Sequence, residues 1–410
     1  MSKRWVVLWF VAVAVIAGLI VVARRAGAPG RAPAATPTAA GAAGSPGTAS
    51  TPDADAATTA PPDARSAAAT RPTTATVSGA AAPAEAAVTP IALAAPLDVA
   101  EAEVSGLAWY ADTLVFLPQY PGRFGADGGV ITDTRRGDGL LFGVRRADVE
   151  GALDDAAPAV TAFAIPLAGA GFGEGEPRAI DGFEGFEAIA FRDRRAYLSI
   201  EVQRGDDMAA YLVAGRVDVD ADGVPVGIAL DDAPPVPVPL PVAIDNMSFE
   251  SLFADGDGVT ALFEANGAAV NPTPRALRFG ADLAPRGEVP FPALEYRVTD
   301  AADLGADGGL WVMNYMFPGD AEALRPGVDA VAERWGEGPT HGGSDVVERL
   351  LRLEVGADAI ALADAPPIAL ALRDDGTARN WEGLVELGDR GFLLVTDRFP
   401  GTELAFVPRP

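Results

Sequence analysis

The chain has 410 residues, a formal net charge of −26, no cysteine and a single histidine, His341. Zero cysteines exclude disulfides, thiolate metal sites, a Cys nucleophile and a lipobox-type lipid anchor, and one histidine excludes multi-histidine metal centres. Residues 1–95 hold seven basic and four acidic side chains, which leaves 24 basic and 53 acidic ones in residues 96–410, a balance of −29 that argues against nucleic acid as a partner. Such a surface solubilises the domain and attracts cations and basic proteins.

The first element in chain order is an uncharged run of 19 residues, Trp5 to Ala23, flanked by Lys3 and Arg4 and by Arg24 and Arg25. At 1.5 Å per residue it is about 28 Å long, the thickness of a hydrocarbon core. Its length favours an uncleaved membrane anchor over residues 1–25 rather than a cleaved signal peptide, although the AGA at 26–28 has a cleavage-site form. Residues 26–87 are almost entirely Ala, Pro, Thr, Gly and Ser, and no Phe, Trp or Tyr occurs between Phe10 and Trp109. A segment of that composition cannot bury enough apolar surface to offset its chain entropy, so it reads as a disordered linker. Anchor, linker and acidic domain together predict a single-pass protein whose domain, residues 88–410, lies outside the cytoplasm, or is secreted if the N-terminal segment is removed.

From 88 onward, apolar stretches of four to seven residues alternate with Gly, Asp and Pro, an all-β pattern. Helical periodicity is confined to pieces near 146–153 and 320–334. Five segments share one form: VSGLAWYADTLVFLPQ from Val104, FEAIAFRDRRAYLSIE from Phe186, FESLFADGDGVTALFE from Phe249, TDAADLGADGGLWVMN from Thr299 and WEGLVELGDRGFLLVTD from Trp381. Each carries a pair of polar residues: Ser105/Gln119, Glu187/Glu201, Glu250/Glu264, Asp300/Asn314 and Glu382/Asp397. In an antiparallel hairpin opposed residues have a constant index sum, and the midpoints of all five pairs fall on turn residues, at Asp112, Arg194, Asp257, Asp307 and Asp389/Arg390. The two polar residues of a repeat are therefore expected to face each other across the open end of a hairpin.

Further strand candidates lie between the hairpins at 140–144, 160–167, 210–219, 224–230, 275–279 and 349–355. About four strands per repeat is the unit of a β-propeller blade, and five repeats give five blades, or six if one long gap hides another. The long gaps hold insertions at 119–138 and 315–345. The last repeat has three strands before Pro410, and VTPIALAAPL at 88–97 can supply the fourth and close the ring.

FEAIAF, FESLFADGDG and NWEGLVELGDRGFLLVTD resemble the recurrent motif of phytase-like propellers, including the "esterase-like activity of phytase" domains and their SdiA-regulated relatives. The resemblance implies an exported propeller, often calcium-binding, with some members acting on phosphate esters. It falls on Glu187, Glu201, Glu250, Glu264, Glu382 and Asp397. The first repeat departs from the motif with Ser105 and Gln119, the fourth with Asp300 and Asn314, and no cluster of Lys or Arg accompanies the acids for binding a phosphoryl group.

Like charges opposed on a hairpin repel and need a shared proton or a hard cation, which makes these six acids the candidate metal ligands, with Ca²⁺ the cofactor. The alternative is architectural: repetition at the same blade position suits a contact every blade makes. Asn266, Asp300, Asn314, Asn380 and Arg398 lie on or beside motif positions and are the candidate ligand-binding residues. Asp218, Asp220, Asp222 and Gly223 begin like a calcium loop, but Ala229 stands where the closing Glu belongs, so a hairpin turn is expected there. His341 reads as a loop histidine facing solvent, and Trp311 and Trp381 as core. The function read from the sequence is a tethered propeller that binds a small-molecule or protein ligand, or a cation, through acids at the channel mouth. The alternative is a calcium-dependent hydrolase of phosphate or carboxylic esters.

Overall fold

The computed structural model describes residues 85–410 apart from 126–127, 131–134 and 155–158. The expected anchor and all of the linker before Glu85 lie outside the described residues. No helix among the described residues is long and apolar enough to cross a membrane.

The repeats form five four-stranded blades. The first is built from Val104–Tyr110, Thr113–Pro118, Gly139–Arg145 and Phe163–Ala168, and the second from Phe183–Arg192, Arg195–Arg204, Asp207–Val219 and Pro225–Leu230. The third comprises Ser251–Asp255, Gly258–Leu262, Arg275–Phe279 and Pro285–Pro290. Arg297–Ala301, Gly309–Met316, Val347–Val355 and Ile368–Leu370 make the fourth, and Glu85–Ala86 pairs in parallel with its outer edge. Those two residues fall inside the segment assigned to the linker from composition. In the fifth blade Trp381–Glu386, Gly391–Thr396 and Leu404–Pro408 are completed by Thr89–Ile91, antiparallel to Leu404–Phe406. The chain thus closes its own ring through the segment the sequence offered for that purpose.

Five apolar clusters fill the five gaps between neighbouring blades, the last lying between blades five and one around Leu107, Phe116, Phe142, Leu393 and Val395. Both faces of each inner strand therefore pack against a neighbour. This explains why the inner strands are continuous apolar runs rather than alternating ones: every residue of Val104–Tyr110 is buried. Trp311 and Trp381 lie in the gap between blades four and five, with the Trp311 ring edge-on to Phe392 at 5.1 Å. The insertion after the second strand of blade four carries short helices at Ala321–Leu324 and Ala330–Trp335, and Arg146–Leu153 is a helix in blade one. Asp220 accepts hydrogen bonds from Asp222 N and Val224 N at 2.9 Å each, so the calcium-loop-like sequence is a hairpin turn.

His341 corrects an expectation. It is 7% exposed, its Nε2 accepts from Glu348 N at 3.2 Å, and its Nδ1 lies 3.0 Å from Glu85 Oε1. Nε2 also lies 3.2 Å from Glu348 O. The histidine clasps the first described strand to the insertion rather than facing solvent.

Candidate functional site

The first polar residue of a repeat does not oppose the second. Glu187 falls in a break of register between the pairs Phe186–Ile200 and Ala188–Ser199, while Glu201 opposes Gly185. Ser105 and Glu382 occupy the same kind of break in blades one and five. A β-bulge puts one extra residue on one strand and re-aims its side chain, which turns these residues toward the axis. Gly185, at φ +125°, permits the approach: a Cβ there would meet Gln119 Cγ at 2.4 Å. Likewise a Cβ on Gly383, beside bulged Glu382, would meet Leu107 Cβ at 2.7 Å.

In blade four the break falls on Thr299, not Asp300, since Val298 pairs with Asn314 and Asp300 with Met313. The equivalence is fixed by contacts that recur between blades. Ser105 Oγ donates to Phe186 O, and Thr299 Oγ1 donates to Trp381 O, each joining one bulge to the residue before the next. Asp300 and Asn314 thus stand one residue inward of the true motif positions, Thr299 and Tyr315. Asp300 is 2% exposed and accepts from Ala301 N, from Leu384 N at 2.7 Å and from Leu107 N, bracing blades four, five and one. Asn314 donates to Tyr296 O and Arg297 O at 3.1 Å each and accepts from Arg349 Nε at 2.8 Å. Asn266 is spent on local backbone and on Asn271.

The six repeat acids do come together: Glu187, Glu201, Glu250, Glu264 and Glu382 are buried, and Asp397 is partly buried. Their charges act across blades: Glu187 feels Glu201, Glu382 and Asp397, and Glu250 feels Glu264, Glu382 and Glu187. Burial is the leading cause in each case and raises every one of the six carboxyl pKa values, with neighbouring carboxylates adding to it in five. Glu201 is pushed up to about 8 and Asp397 to about 6.

One cation sits among them, and the sequence reading missed it. Arg297 Nη2 lies 2.9 Å from Glu250 Oε1 and 3.8 Å from Glu382 Oε1, its Nε bonds Glu264, and its Nη1 lies 3.7 Å from Asp320 Oδ2. Burial disfavours this charged guanidinium, but Glu250, Glu264 and Glu382 more than offset it and raise its pKa further. Arg297 occupies the position that Gly185 holds in blade two, since each opposes the second motif residue. An arginine beginning an otherwise buried inner strand was the available signal.

Two of the acids have neutral amide partners. Gln119 Nε2 donates to Glu187 Oε1 at 3.1 Å, and Asn380 Nδ2 donates to Glu382 Oε1 at 2.6 Å. Arg398, half exposed, reaches Glu103 Oε1 at 2.9 Å, and Glu103 also pairs with Arg123. An all-oxygen donor set is of the kind hard cations take, but among the described residues no group of three or more acids is arranged to hold a metal ion.

No family model and no curated protein sequence matches this chain. Among solved structures it is similar to the PQQ-bound aldose sugar dehydrogenase of Streptomyces coelicolor, with a TM-score of 0.41 and 16% identity over 80% of this chain and 100% of that one. It is also similar to an α-L-arabinofuranosidase of Clostridium thermocellum, with a TM-score of 0.38 and 12% identity over 75% and 93% of the two chains. A third, the α-L-arabinofuranosidase PaAbf62A of Podospora anserina, has a TM-score of 0.38 and 9% identity over 80% and 98%. At these values the overlaps say nothing of this chain's chemistry. The class of protein, a five-bladed β-propeller closed by its N-terminal strand, rests on the sheet topology itself.

Proposed function

We propose that this protein is a membrane-tethered propeller, displayed outside the cytoplasm on the 26–87 segment, that binds a cationic ligand at its axial carboxylates. One observation carries the reading: of six clustered acids from blades two, three and five, only Glu250, Glu264 and Glu382 lie, among the described residues, within ion-pair reach of an interior guanidinium, that of Arg297. Carboxylates withdrawn from water without counter-charge hold protons, and a ligand cation is the alternative to those protons. Binding is then tighter at higher pH, because each proton displaced is a cost that falls as pH rises. An ester hydrolase, the reading the phytase-like resemblance suggests, needs a cation for the transferred group. Arg297 is committed to carboxylates, so binding is the better-supported function.

The test is thermal melting of the full chain at pH 8 with Ca²⁺, Mg²⁺ or an alkylammonium salt. A bound cation stabilises by RT ln(1 + [L]/Kd), about 2.7 kcal/mol at a hundredfold excess over Kd. Glu382→Gln should shrink the shift. If no cation moves the melt of either protein, the cluster serves only to join the blades.

A further inference from the structure

Two of the exposed large apolar side chains, Phe317 at 49% and Phe399 at 66%, are phenyl rings on turns that hold members of the axial cluster. Phe399 O accepts from Asn380 N at 3.1 Å, Asp397 N donates to Asn380 O at 2.9 Å, and Asn380 Nδ2 grips Glu382. Phe317 O accepts from Asp320 N at 2.9 Å, and Asp320 reaches Arg297. Phenyl rings this exposed, on turns bonded to the cluster, have no part in joining blades.

The cluster also contains buried polar groups left without partners. Glu201 is 2% exposed, and its carboxylate accepts no hydrogen bond from the described residues, although it lies within electrostatic reach of Glu264 and Arg297. Ser248 is fully buried with its N–H on Glu264 Oε1, and its hydroxyl has no partner. Asp320 Oδ2, by contrast, is ion-paired with Arg297 Nη1 at 3.7 Å. Buried polar groups in a native fold are normally satisfied, so the unbonded Glu201 carboxylate and the Ser248 hydroxyl mark a missing partner.

Arg297 shows which head group this environment accepts: a planar guanidinium between two carboxylates. Glu187, Glu201 and Asp397 form a part of the cluster that Arg297 does not bond; there Gln119 donates to Glu187, and Asn380 donates to neighbouring Glu382. A head with several N–H donors suits that part, and an apolar body suits the phenyl rings, whose faces also attract positive charge. A hydrated metal ion has no use for the rings.

We propose that the ligand is a small organic cation, with an ammonium or guanidinium head on an apolar body, seated with its head among Glu187, Glu201, Glu382 and Asp397 and its body against Phe399 and Phe317. This rests on the reading of the cluster as a cation site. The experiment is calorimetric titration of the full chain at pH 8 with butylguanidinium, methylguanidinium and Ca²⁺ separately. Butylguanidinium should bind roughly tenfold more tightly than methylguanidinium, the scale of an apolar and cation–π contact. Phe399→Ala or Phe317→Ala, both at exposed positions, should erase that advantage without changing the melting temperature. Equal affinities for the two guanidinium probes, or an advantage that survives both substitutions, overturns the assignment of the rings. Binding of Ca²⁺ alone overturns the organic ligand but leaves the cation site standing, whereas no binding by any of the three removes both.

Discussion

The two halves of the axial cluster face the same problem and meet it differently. On the side of blades three and four, Glu250 and Glu264 are bonded to Arg297, and Glu264 also accepts from Ser248 N at 3.0 Å. On the side of blades two and five, Glu187, Glu201 and Asp397 have no bonded interior cation, only amide and backbone donors or none. A buried ion pair gains little over an apolar pair, yet losing one partner is expensive because the other is left charged and desolvated. The first half is thus a structural joint that resists substitution. In the second, burial and neighbouring carboxylates raise the carboxyl pKa values with no bonded cation among the described residues to offset them.

The largest expected effect attacks the joint. Arg297→Met should destabilise by about 3–5 kcal/mol at pH 8, since it leaves Glu250 and Glu264 buried without counter-charge. Urea unfolding should show a smaller loss at pH 5, where those carboxyls take up protons. An equal loss at both pH values would mean the guanidinium acts through packing alone.

Next is the pH dependence of the intact protein. The folded-state pKa values of Glu201, about 8, and Asp397, about 6, lie above those of unfolded chains, near 4. In that window the folded state holds protons the unfolded state has released, so stability falls as pH rises from about 4 toward these values and stops falling beyond them. A decline of about 5 kcal/mol between pH 5 and pH 8.5 is expected in the absence of ligand, at roughly 1.4 kcal/mol per pKa unit, the Arg297 charge being already included in both values. A flat profile would show that the second half is not held neutral by protons.

The smallest effect separates the halves most directly. At pH 8, Glu201→Gln should be neutral or stabilise by about 1 kcal/mol, because it removes an acid that no donor satisfies. Glu264→Gln should cost about 2 kcal/mol by breaking a charge-assisted bond to Arg297. The same sign for both would erase the distinction.

Much of the fold was legible in the residues. Turn chemistry at Asp112, Asp193, Asp257, Asp307 and Asp389 fixed five hairpins, and a three-stranded last repeat implied a closing strand from 88–97. What escaped was register. A midpoint is unchanged when both members of a pair move one residue apart, so Asp300/Asn314 and Thr299/Tyr315 share the same turn, at 307. The bulges at Ser105, Glu187 and Glu382 leave no mark in the apolar pattern, because strands buried on both faces do not alternate. The six acids were found because they repeat, whereas Arg297 was missed because it occurs once.

The pairing of Thr89–Ile91 with Leu404–Phe406 also orders the folding of the chain. Those partners are about 315 residues apart, and forming so distant a contact is entropically costly until the intervening blades have condensed. During synthesis the closing strand emerges ahead of every blade's own strands and finds its partner last. A solitary β-segment in that interval is a site for mispairing. At three residues, with Pro90 at its centre, it offers few backbone donors to a stray partner. Its brevity thus guards the chain until the fifth blade arrives.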